Sequence, residues 1–197
     1  MAITDTPARI MRGIVSTLRE DRGGSASVDL YVAELETTES LTFKRFGLTD
    51  TVSPANADGQ YVRRVYIGDA PVPHQLAWPN IGVMLVDSGD YQPDYTGGFY
   101  SVVEIYQVTI GVSADSVSTG APLDADAMYR ACFVLGQAAA NCLQDRLARD
   151  LSDAIDRCDI GAVSPNGGVV NEAEKTYTYR YASILIRIAR QYPMRIA

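Results

Sequence analysis

The stretch DADAMYRACFVLGQAAANCLQDRL, Asp124 to Leu147, decides the fold. Met128, Ala131, Cys132, Leu135, Ala138, Ala139, Cys142, Leu143 and Leu147 recur at the period of an α-helix and make one wide apolar face. Asp124 or Asp126 suits the N-cap, where a short carboxylate accepts from the free N–H groups of the first turn. Many residues of the face are small, so this helix can lie close to a sheet. Arg130, Gln137, Asn141 and Arg149 mark the opposite side.

The matching sheet element is the segment Tyr181-Ala-Ser-Ile-Leu-Ile-Arg-Ile188, part of a strand predicted from about Thr176 to Arg190. Ala182, Ile184, Ile186 and Ile188 form one face. Tyr177, Tyr179, Tyr181, Ser183 and Leu185 form the other. Two readings of the tyrosine face are open. In an edge strand it would be covered by the inserted segment between about residues 25 and 73 or by a neighbouring subunit; in an interior strand, by this chain's own helix.

Working outward, Tyr100 to Val112 alternates as a second long strand, with Tyr106, Val108, Ile110 and Val112 on one side. Ile81 to Val86 is apolar on both faces and predicts an interior strand. Asp87 to Gly98, rich in Gly, Asp and Tyr, reads as an exposed connection. Asp150 to Arg157 reads as a helix continuation or a short second helix. Ile160 to Val163 opens a hairpin whose turn signal is Asn166-Gly167-Gly168. At the other end, Thr6 caps and Pro7 starts a helix with Ile10, Met11, Ile14, Val15 and Leu18 in one stripe, closed by Gly23-Gly24. Between about residues 25 and 73, a strand at Val28 to Val32, an extended piece around Leu41, Phe43 and Phe46, a loop at Ser53 to Gly59 and a strand at Gln60 to Ile67 suggest a β-rich insertion or arm.

The expected architecture is therefore a single α+β domain over residues 1–197. It has a mixed, mostly antiparallel sheet, an N-terminal helix and one long central helix packed on one face, plus that insertion. The composition, 47% hydrophobic and 21% charged, can supply such a core without metals or disulfides. A net charge of −7 argues against a general nucleic-acid binder. Arg9, Arg12, Arg19 and Arg22 form a local exception beside the first apolar stripe. The three cysteines, Cys132, Cys142 and Cys158, have no metal-ligand spacing; Cys132 and Cys142 fall within the helical pattern and read as buried thiols, and a reducing compartment is expected. No signal peptide and no membrane span is expected.

Catalytic chemistry is thin. His74 is the only histidine, so any triad or histidine base would have to use it, and no partner lies near it in sequence. No nucleophile elbow, phosphate loop or dinucleotide fingerprint is present. The pairs Asp124/Asp126 and Glu172/Glu174 fit a helix cap and a solvated hairpin better than a catalytic dyad. The expectation is a protein without catalytic, cofactor or metal residues.

The order of elements resembles the tail terminator, or tail-completion, proteins of tailed bacteriophages and related contractile particles. The resemblance runs over Pro7 to Leu18 and Trp78 to Pro193, through Pro79-Asn80-Ile81-Gly82-Val83, Tyr106-Gln107-Val108-Thr109-Ile110-Gly111-Val112, the alanine-rich helix and the Tyr181 to Ile188 strand. It implies a non-enzymatic virion protein, assembled in the host cytoplasm. Six copies would form a ring that caps the tail tube, joins it to the neck or head connector and lets DNA pass without specific binding. Itself, the tail-tube protein and the connector are the implied partners, with a sheath or collar protein a further candidate for the insertion. Tyr177, Tyr179, Tyr181, Arg9 and Arg12 are the candidate subunit contacts. Another neck or head–tail joining protein (a stopper or connector) would fit the same composition. A small hydrolase using His74, or a ligand-binding module, are the readings from other classes.

Overall fold

The computed structural model describes residues 7–19, 28–39, 61–62, 64–68, 79–94, 99–113, 125–172 and 175–193. In chain order these form α1 (Pro7–Arg19), α2 (Val28–Glu39), β1 (Arg64–Ile67), β2 (Asn80–Asp94), β3 (Phe99–Ser113), α3 (Ala125–Asp150), β4 (Arg157–Ile160), β5 (Ser164–Glu172) and β6 (Lys175–Pro193). The fold is α+β, with a mixed, mostly antiparallel sheet.

The sheet runs β1-β2-β3-β6-β4, and β5 also pairs with β6. Among the described strands only the β1–β2 pair is parallel. β3 and β6 pair without a slip from Phe99↔Pro193 to Ser113↔Tyr179. On its far side β6 meets β4 over Arg157↔Ala189 to Ile160↔Ile186, and β5 over Ser164↔Ser183 to Glu172↔Lys175. β6 is thus an interior strand.

Period-two alternation fixes which face is covered. Tyr106, Val108, Ile110 and Val112 of β3 and Ala182, Ile184, Ile186 and Ile188 of β6 are fully buried, together with Ile81 and Val83 of β2. α3 lies on this face, burying Met128, Ala131, Cys132, Leu135, Ala138, Ala139, Cys142, Leu143 and Leu147. Each leucine so enclosed contributes about 1.5–3 kcal/mol. Gly136 sets the spacing: a Cβ there would stand 2.7 Å from Val163 Cγ1 and 3.1 Å from Ala182 Cβ.

α3 is enclosed on more than one side, because α1 and α2 both pack against it. Val134 and Ala140 are buried as well. At the α1 junction a Cβ on Gly13 would collide with Leu151. Cys142 Sγ donates to the Thr17 carbonyl at 3.6 Å across the same seam. At the α2 junction the Tyr31 hydroxyl donates to Asp145 at 2.8 Å.

Several expectations need correction. Val28 to Val32 is the start of helix α2, not a strand. Val28 and Val32, four residues apart, are buried while Leu30 is 51% exposed, which is helical spacing. The Asp29 carboxylate then accepts from the backbone N–H groups of Tyr61 and Val62, at 3.1 and 3.0 Å, and Tyr61 donates to Glu36 at 2.7 Å. The strand expected from Gln60 is confined to Arg64–Ile67. The extended piece at Leu41 to Phe46 and the loop at Ser53 to Gly59 lie outside the described residues.

Most of the connection expected at Asp87 to Gly98 is strand, since β2 reaches Asp94 and β3 begins at Phe99. The segment carries register slips between Leu85 and Asp87 and between Gly89 and Gln92, and the ladder continues past both. Asn166-Gly167-Gly168 is not a turn but lies within β5, paired with Tyr181, Arg180 and Tyr179. The β5–β6 ladder runs on to Glu172 paired with Lys175. Residues 151–154 form a turn instead of continuing the helix.

Candidate functional site

The described helices lie on the Ile184 side of the sheet, so the tyrosine side of β6 is not covered by α3. Leu185 is 48% and Val103 37% exposed there, and Ile105, Gln107, Met84, Ser183, Tyr179 and Tyr181 are half-buried. Arg157 and Asp159 of β4 stand beside them, joined at 3.0 Å, with Arg187 exposed next to them.

Tyrosines are set against glycines on this face. Tyr181 pairs with Gly111 of β3, and Tyr179 with Gly168 of β5. Their rings stack at 6.1 Å between centroids and 18° between planes. The third instance is Tyr66 of β1, paired with Gly82 of β2, where a Cβ would meet the Tyr66 hydroxyl at 3.0 Å. A strand glycine leaves a gap in the pleated surface, and a neighbouring aromatic ring can cover it. The Tyr66 ring lies against the sheet surface in this way, and Tyr179 and Tyr181 are held by their stacking on each other. Of the predicted contacts, Tyr179 and Tyr181 stand here. The Tyr177 side chain lies outside the described residues, and its backbone pairs with Val170.

Arg9 and Arg12 are elsewhere, on α1, where they line an open cleft of about 270 Å³ with Gly13, Ser16, Thr17, Asp150 and Leu151. Arg9 reaches Asp153 at 2.6 Å. Asp150, at the end of α3, receives the Thr17 hydroxyl at 3.0 Å and lies 3.5 Å from the guanidinium of the enclosed Arg146 and 3.8 Å from that of Arg149. Sequence reasoning missed this cleft because it is formed by residues some 140 positions apart (Arg9 and Asp153 are an example).

His74 lies outside the described residues, as do Asp124 and Glu174. Asp126 is exposed and sits 3.8 Å from Arg130, one helical turn on. Among the described residues no group of three His, Cys, Asp or Glu side chains could hold a metal, and no helix is long and apolar enough to cross a membrane. All three cysteines are free. Burial pushes the Cys132 and Cys142 thiols up to about 12, against the opposing pull of Arg180 on the first and Arg146 on the second. Burial, aided by Asp159, raises Cys158 to about 11. None is poised as a nucleophile, which requires a thiolate.

The chain matches no protein-family profile and no curated protein.

Proposed function

We propose that this chain is a non-enzymatic assembly subunit of a tailed-phage particle, a tail terminator whose copies close into a ring, cap the tail tube and join it to the neck. The observation that supports this reading is the one-sided fold. Helices α1 and α3 pack on one face of the sheet, with α2 outside α3, and the other face carries Tyr66, Tyr179, Tyr181, Leu185 and Val103 with no helix over it among the described residues. Exposed apolar residues grouped on a rigid face mark a protein contact more often than a solvated surface. The sequence of α1, β2, β3, α3 and β6 is also the element order on which the resemblance to tail terminators rests. In that role the chain needs no catalytic residue, cofactor or metal, and its acidic balance suits a ring through which DNA passes.

The test is a mass measurement of the purified protein, alone and mixed with tail-tube protein, together with the length distribution of the tubes. A closed oligomer that binds tube ends and stops their growth is the expected result. Leu185→Lys, at an exposed position, should leave the fold intact and weaken that capping. A strict monomer in both conditions, with tube length unchanged, rules the proposal out. Rings that bind only the head connector would instead point to a stopper or other joining protein.

A further inference from the structure

We draw no further inference here: the strongest candidate, the exposed aromatic ridge that Tyr129 and Phe133 form one turn apart on the first half of α3, is an apolar surface patch, and nothing in the structure shows what covers it.

Discussion

Glu104 of β3 and Arg190 of β6 form an ion pair in which both side chains are almost wholly enclosed, 3% and 2% exposed. The same carboxylate accepts the Tyr106 hydroxyl, so one buried acid ties together two strands and an aromatic core residue. Removing one member strands the other charge away from water. Glu104→Gln should therefore destabilise the fold by about 3–5 kcal/mol. The double change Glu104→Leu with Arg190→Met, which removes both charges, should cost much less. Urea unfolding of wild type and the two variants measures both, and equal losses would contradict this account.

The contact of α3 with the sheet is governed by Gly136. Replacing it with alanine gains about 1 kcal/mol of helix propensity. The added Cβ, however, meets Val163 and the Ala182 Cβ, and the latter cannot swing away. Gly136→Ala should be neutral to destabilising despite the propensity gain, and Gly136→Leu should cost at least about 3 kcal/mol by pushing the helix off the sheet. Thermal unfolding distinguishes the two, and a stabilised leucine variant would refute the packing argument.

Asp29 fixes the entry to β1. It is buried and accepts from two buried backbone N–H groups, those of Tyr61 and Val62. Asp29→Ala leaves both donors without that acceptor, at a cost of about 1–3 kcal/mol each. Hydrogen exchange at the amides of Tyr61 and Val62 should accelerate well beyond the global change in stability. Exchange that rises no more there than in β6 would mean that the carboxylate does not hold this segment.

The buried thiols set a pH limit. Unfolded thiols ionise near 9, whereas folded Cys132 and Cys142 wait until about 12 and Cys158 until about 11. Tyr31, raised from 10 to about 12 by burial and its bond to Asp145, has the same sign. Above pH 9 the unfolded chain loses protons that the folded chain keeps, so stability from these groups is complete below about pH 9 and is lost on the way to about pH 12. The urea midpoint should fall between about pH 8 and about pH 10.5, with a shallower slope in the double variant Cys132→Ala, Cys142→Ala. A flat profile in wild type would contradict the burial of the thiols.

The elements with a long unbroken period were legible in the sequence. α3 and the apolar faces of β3 and β6 follow from Leu135, Ile110 and Ile184 and their neighbours, because a core of that size overrides local preferences. Val28 to Val32 misled because five residues fit both a strand and one turn of helix; Leu35 and the cap-like role of Asp29 toward Tyr61 and Val62 decide it. Asn166-Gly167-Gly168 misled for a different reason. A turn signal is local, and here the glycines serve the pairing with β6, including the tyrosine set beside Gly168. Tyr179 and Tyr181 were recognisable as a face needing explanation. Their partners Gly111 and Gly168, and the parallel case of Tyr66 on Gly82, depend on strand register, which no single segment specifies.

The slip-free pairing of β3 with β6 also has a mechanical meaning. Antiparallel hydrogen bonds run across the strands, so a pull along β6 loads the ladder from Phe99↔Pro193 to Ser113↔Tyr179 in shear, many bonds at once. β2, with its two register slips, meets β3 in separate sections that can yield one after another. Tension reaching this chain would therefore peel the β2 side first and leave the β3–β6 seam as the last part of the sheet to part.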